Sequence, residues 1–229
     1  MPHPSSSTQA FPERPLLCYV TDRRLLSARD PSPATGLVLR KIAAAIRAGV
    51  DWIQIREKDI CAKDCAALVR AAMQAGASDD VRILVNDRLD VALAENAGGV
   101  HLGEQSIPVA EARKFLEQTR DAQLPASFLT GVSCHSLADV KAAARGGADY
   151  VFFGPVFATP SKSAFGAPQG VGKLAEVCNA AEIPVLAIGG ITTDNAASCL
   201  SAGAAGIAAI RLFQDAVDMR SVAGRLRQL

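Results

Sequence analysis

The sequence predicts a single (β/α)8 barrel, and three observations carry the prediction. Eight short, apolar, β-rich runs alternate with eight Ala/Leu-rich stretches of helical character. Turns of small residues recur just before the strands, as in Ala48-Gly49-Val50-Asp51, Ala97-Gly98-Gly99, Gly146-Gly147-Ala148-Asp149 and Ala202-Gly203-Ala204-Ala205. The eight units together fill about 215 residues, close to the roughly 250 typical of one closed barrel. Strands separated by helices of this length require parallel crossovers. A doubly wound open sheet is the competing architecture. It usually has fewer strands and a glycine-rich loop after the first one, and no such loop follows Tyr19-Val20-Thr21-Asp22.

In order, the strands are expected at residues 16–21, 51–56, 82–86, 99–102, 130–134, 150–154, 184–189 and 206–213. Helices are expected near 36–48, 61–76, 88–96, 108–119, 136–146, 170–181, 193–202 and 214–227. Glycine past a helix end supplies the left-handed cap, which explains the recurring small-residue turns. Residues 1–13 are rich in Pro and Ser and read as a frayed tail, leaving 14–229 as one barrel domain.

Composition narrows the function classes. The chain has 229 residues, 49% of them hydrophobic and 21% charged, with a net charge of +1. That is ordinary globular material with enough apolar side chain for one large core. The near-zero charge argues against nucleic acid as a partner, because phosphate-gripping domains are clearly basic. No apolar run reaches the length of about 18 residues that a membrane span needs, and the first residues lack the pattern of a secretory signal. Six cysteines without a C-x-x-C pair read as reduced thiols in the cytoplasm. A homo-oligomer stays open.

A barrel builds its site at the C-terminal ends of its strands, so those ends are where chemistry is sought. They carry Gln54, Arg56 and Lys58; Asn86 and Asp87; His101, then Ser106; Ser133 and His135; Thr159, Ser161 and Lys162; Gly189 and Gly190; and Arg211 on the eighth strand. Asn86 and Asp87 suit either a helix cap or a metal site. His101 and His135 suit either backbone hydrogen bonds or chemistry. The two glycines suit either a tight turn or an amide cradle for phosphate. Arg56, Lys58 and Lys162 place three cations at one mouth beside the single carboxylate of Asp87. That balance suits a diphosphate with Mg²⁺, which prefers carboxylate, phosphate and water oxygens. The glycine pair and Arg211 offer a second anion site. Two phosphorylated small molecules in one barrel suggest their joining with loss of diphosphate. The stretch 157–170, with Pro160, Gly166, Pro168 and small residues around Lys162, reads as a lid.

Seven segments in order resemble the thiamine phosphate synthase and thiazole tautomerase superfamily. They are Tyr19-Val20-Thr21-Asp22, Gln54-Ile55-Arg56-Glu57-Lys58, Val85-Asn86-Asp87-Arg88, Gly99-Val100-His101-Leu102-Gly103, Gly131-Val132-Ser133-Cys134-His135-Ser136, Gly154-Pro155-Val156-Phe157-Ala158-Thr159-Pro160-Ser161-Lys162 and Ile188-Gly189-Gly190-Ile191. The resemblance implies that Gln54, Arg56 and Lys58 hold a pyrimidine diphosphate, that Asn86 and Ser133 hold its ring or diphosphate, and that Asp87 binds Mg²⁺. It places Lys162 on the diphosphate, and Thr159, Ser161, Gly189, Gly190, Ile210 and Arg211 around a thiazole phosphate. Two positions depart from the synthase pattern. Ser106 stands where the family has a second metal-binding Asp, and Arg211 where it has a small Ser. These departures keep the tautomerase branch in view, with His135 as its acid/base, and a non-catalytic paralogue as well. The retained Gln54, Arg56, Lys58, Asn86, Asp87 and Lys162 favour the synthase, since a tautomerase has no diphosphate to neutralise.

Overall fold

Short, mostly apolar runs form all eight strands. In the computed structural model, which describes residues 14–27, 34–77, 80–119, 128–159 and 167–229, these are β1 (Leu16–Val20), β2 (Trp52–Ile55), β3 (Arg82–Asn86), β4 (Gly99–Leu102), β5 (Leu129–Cys134), β6 (Tyr150–Phe153), β7 (Val185–Ile188) and β8 (Gly206–Ala209). Neighbours pair in parallel in sequence order, and β8 pairs with β1 to close the barrel. Closure excludes the open doubly wound sheet. The expected tail, residues 1–13, lies outside the described residues.

The helices are α1 (Arg23–Ser27), α2 (Ala34–Arg47), α3 (Ala62–Ala75), α4 (Leu89–Ala94), α5 (Val109–Gln118), α6 (Leu137–Arg145), α7 (Gly170–Ala180), α8 (Ala196–Ser201), α9 (Arg211–Gln214) and α10 (Met219–Arg227). Side chains cap two of the starts: Ser136 accepts from the Asp139 amide, and Asp218 from those of Arg220 and Ser221. Gly49, Gly147 and Gly203 take the expected left-handed position. After α4 that position falls to Asn96, with φ 52, rather than to Gly98. Asparagine is among the few residues that tolerate it.

Two corrections concern the end of the chain's eighth unit. The apolar run from 206 to 213 was expected as one strand, but β8 stops at Ala209 and Arg211 begins the short helix α9. A buried apolar run reads the same as strand or helix. Tertiary contact decides: the Gln214 carbonyl oxygen accepts from Tyr19 Oη at 3.0 Å and from the Asp22 amide at 3.1 Å, and its amide donates to the Asp22 carbonyl at 2.9 Å. The chain must therefore turn inward after β8.

Strand alternation divides the core into two layers. Leu17, Tyr19, Ile53, Ile55, Val85 and Val151 face outward and pack against the helices. Leu16, Cys18, Val20, Trp52, Leu84, Leu129, Tyr150, Phe152, Leu186 and Ala208 fill the barrel. Within it the Trp52 and Tyr150 rings lie 4.7 Å apart and the His101 and Phe152 rings 4.2 Å apart. Gly131 makes room for this packing, because a Cβ there would lie 2.0 Å from the Tyr150 Cζ. Gly131→Ala is expected to cost about 1–3 kcal/mol by overpacking, read as a lower urea midpoint. All six cysteines are free thiols, and no described helix is long and apolar enough to cross a membrane.

Candidate active site

The even-numbered positions of β2 and β3 and the odd-numbered ones of β4 point into the barrel, and at its C-terminal end they turn polar. Gln54 is buried yet paired: its amide donates to Asn86 Oδ1 at 2.9 Å. Asn86 Nδ2 donates in turn to Asp87 Oδ2 at 2.6 Å. The carboxylate can only accept, so it orients Asn86, which orients Gln54. The polarity leaves the Gln54 carbonyl oxygen without a protein donor among the described residues, at the barrel mouth.

Asp87 does not cap the following helix. Its other oxygen, Oδ1, accepts from the Gly103 amide at 3.1 Å and from the Ser106 hydroxyl. The residue sits at φ 62, a left-handed conformation uncommon outside glycine. That turn swings the carboxylate across to the loop after β4, where it meets Ser106. They bring hard oxygen donors and one negative charge. Among the described residues no group of three or more His, Cys, Asp or Glu side chains gathers at any point. The donor set fits Mg²⁺ as an ion that takes one or two protein carboxylates and completes its shell with phosphate and water.

Arg56 and Lys58 follow β2 at the mouth, and neither makes an ion pair among the described residues. Arg56 is set by its backbone: its amide donates to Thr21 Oγ1 at 3.0 Å. Thr21 donates at 2.6 Å to Glu57, whose carboxylate also accepts from the Arg23 amide. Burial pushes the Glu57 carboxyl above its usual range, while the Thr21 and Arg23 hydrogen bonds oppose the shift. Glu57 is thus a buried brace between the loops after β1 and β2.

His101 resolves the choice between backbone contact and chemistry in a third way. It is fully buried, with Nδ1 at 3.1 Å from Tyr150 Oη and Nε2 at 2.9 Å from Ser133 Oγ. Burial drops its pKa from 6.5 to about 3, with Asp87 pulling it up and Arg56 down. The folded protein therefore refuses a proton that the unfolded chain accepts between about pH 6.5 and 3. This contribution to stability is complete above pH 6.5 and is lost as pH falls through that window. The urea midpoint is expected to drop on acidification from neutral pH, and the slope to flatten in His101→Gln.

His135 follows β5, half-buried, and Nδ1 contacts the Gly154 carbonyl. A carbonyl only accepts, so Nδ1 carries the proton and Nε2 is the basic nitrogen of the neutral ring.

Across the mouth, Gly189 and Gly190 adopt φ 97 and 67. A Cβ at Gly189 would lie 2.6 Å from Pro155, and one at Gly190 2.5 Å from the Ala158 carbonyl. The glycines are therefore required by close approach of the loop after β6 as well as by conformation. Their amides donate to no backbone carbonyl among the described residues, which leaves two N–H groups for an anion. Asn195 braces this turn, donating to the Gly190 carbonyl at 3.0 Å and accepting from the Thr192 amide at 2.8 Å. Ile210 is half-buried after β8 and Arg211 exposed at the start of α9. Thr159 is the last described residue before the central part of the loop after β6. Ser161, Lys162 and the rest of residues 160–166, half of the expected lid, lie outside the described residues.

The tertiary structure thus adds Thr21, Glu57, Tyr150 and Asn195 to the expected set. Thr21, Glu57 and Tyr150 act through partners distant in sequence, and Asn195 through its own turn. Only Glu57 and Thr21 carried a signal, as members of conspicuous polar segments.

Residues 18–213 match the family model described as thiamine monophosphate synthase. The thiamine-phosphate synthase of Roseiflexus castenholzii is 39% identical over 220 residues, covering 95% of this chain and 90% of that one. That of Methanoculleus marisnigri is 40% identical over 211 residues, covering 92% and 93%. The solved thiamine phosphate pyrophosphorylase from Pyrococcus furiosus has a TM-score of 0.78 at 31% identity, covering 93% of this chain and 94% of the other.

Proposed function

Because this chain belongs to the thiamine monophosphate synthase family, we propose that it condenses hydroxymethylpyrimidine diphosphate with thiazole phosphate to give thiamine phosphate and diphosphate. The observation that carries the reading is the pair of cations after β2, Arg56 and Lys58, which make no ion pair among the described residues, on the same rim as the carboxylate of Asp87. A site so built has charge in reserve for a multiply anionic substrate.

The bond between the pyrimidine methylene carbon and the diphosphate oxygen breaks, and the electron pair leaves with diphosphate. The thiazole nitrogen then donates its lone pair to the methylene cation. Gln54 and Asn86 hold the pyrimidine at the barrel floor. Arg56 and Lys58, with Lys162 and the Ser133 hydroxyl, stabilise the negative charge that grows on the departing group. Asp87 and Ser106 would hold Mg²⁺, which would supply further Lewis-acid stabilisation of the diphosphate when bound. The amides of Gly189 and Gly190, with Thr159, Ser161, Ile210 and Arg211, receive the thiazole phosphate and set the nitrogen against the methylene carbon. Both substrates are phosphorylated small molecules, and the site of action is the cytoplasm.

Purified protein given both substrates and Mg²⁺ is expected to release diphosphate and form thiamine phosphate in equal amounts. Isomerisation of a thiazole carboxylate phosphate without any diphosphate release, lost in His135→Ala, would move the assignment to the tautomerase branch.

A further inference from the structure

Three polar side chains run in line from the barrel core toward its mouth: Tyr150, His101 and Ser133. Tyr150 Oη lies 3.1 Å from His101 Nδ1, and His101 Nε2 lies 2.9 Å from Ser133 Oγ. Tyr150 and His101 are buried, and these are the side-chain hydrogen bonds they make among the described residues. The two hydroxyls can each donate or accept, while a neutral imidazole offers one donor and one acceptor. Only two proton arrangements satisfy the chain.

In one, His101 carries its proton on Nδ1 and donates to Tyr150. The phenolic proton is then enclosed without an acceptor, and Ser133 spends its own proton on Nε2. In the other, Tyr150 donates to Nδ1 and His101 Nε2–H donates to Ser133 Oγ. Every buried donor is then satisfied, and the Ser133 proton is left over, on the half-exposed side of the chain. An unmade hydrogen bond is far more costly inside a protein than at its surface, so the second arrangement prevails.

We propose that Tyr150 and His101 are positioning residues that commit Ser133 to donate its hydrogen bond outward, to an oxygen of a phosphoryl ligand at the mouth. An anionic oxygen accepts and cannot donate, so the opposite arrangement would turn a serine lone pair against it. That the ligand is the diphosphate of the pyrimidine substrate rests on the synthase reading above.

Nitrogen NMR of protein labelled at histidine reads the arrangement directly. His101 is one of three histidines, and its signals are those missing from His101→Gln. The expected result is a proton on Nε2 and a bare Nδ1 in the wild-type protein. A proton on Nδ1 overturns the proposal, and this measurement needs no variant of Tyr150 to fold. Titration with inorganic diphosphate and Mg²⁺ supplies the functional readout. Ser133→Ala is expected to weaken binding about tenfold and Tyr150→Phe several-fold. In the Ser133→Ala background, Tyr150→Phe should add nothing, since its effect travels through the serine proton. An equal loss in both backgrounds would mark Tyr150 as merely structural and overturn the proposal. Failure of the wild-type protein to make thiamine phosphate would remove the synthase reading, while the nitrogen spectrum and the diphosphate titration still decide the proton arrangement.

Discussion

Asp87→Asn is expected to lower turnover by about 10²–10³-fold, the scale of losing one strong electrostatic contact to a transition state. Asparagine is the informative replacement. It tolerates the left-handed backbone at φ 62 that alanine would strain, and its oxygen can still accept from the Gly103 amide. What it removes is the only carboxylate charge in the group formed with Asn86 and Ser106. The thermal midpoint should therefore shift by no more than a few degrees, since an exposed rim residue contributes little to the core. Steady-state assays with and without chelator, beside a melting curve, separate the two effects. Full activity of Asp87→Asn, or of the wild-type protein in excess chelator, would sink the metal assignment. Ser106→Asp tests the same point from the other side. A second carboxylate beside Asp87 should lower the Mg²⁺ concentration needed for half-maximal activity.

Arg56→Gln is expected to cost turnover about 10²-fold, with the loss in kcat rather than in folding. The side chain makes no ion pair among the described residues, so its removal leaves no carboxylate stranded. The backbone bond from the Arg56 amide to Thr21 Oγ1 survives the substitution. The loop therefore keeps its course, and the deficit reports on charge at the departing diphosphate. An unchanged kcat would place Arg56 outside the reacting group and shift that role to Lys58 and Lys162. A fall in thermal midpoint matching the fall in rate would instead identify Arg56 as a structural residue.

Much of this protein is decided locally and can be read before folding is considered. Alternation of apolar runs and helical stretches specifies eight parallel units, because a parallel strand pair needs a crossover. Period-two alternation within a strand specifies which side chains face the barrel, so Gln54 and Arg56 are legible as inward and mouth-facing from β2 alone. The polar ends of the strands are legible as a site because parallel strands bring all their C-terminal ends to one rim.

Closing the barrel decides the rest, because closure determines which inward side chains meet. His101 is joined to Tyr150 across 49 residues and to Ser133 across 32, and burial in that setting, not the histidine itself, keeps it neutral. Asp87 could have capped α4; the course of the loop after β4 brings the Gly103 amide and Ser106 to it instead. Arg211 reads as the end of a strand, yet Gln214, bonded to Tyr19 Oη across 195 residues, bends the chain into α9 first. The glycines of the turn after β7 read as a tight turn or a phosphate cradle, and the approach of Pro155 and Ala158 shows them to be required by close packing as well. Periodicity is a property of neighbours along the chain. Hydrogen-bond partners, burial and the resulting proton affinities are properties of neighbours in space, and only the closed barrel supplies those.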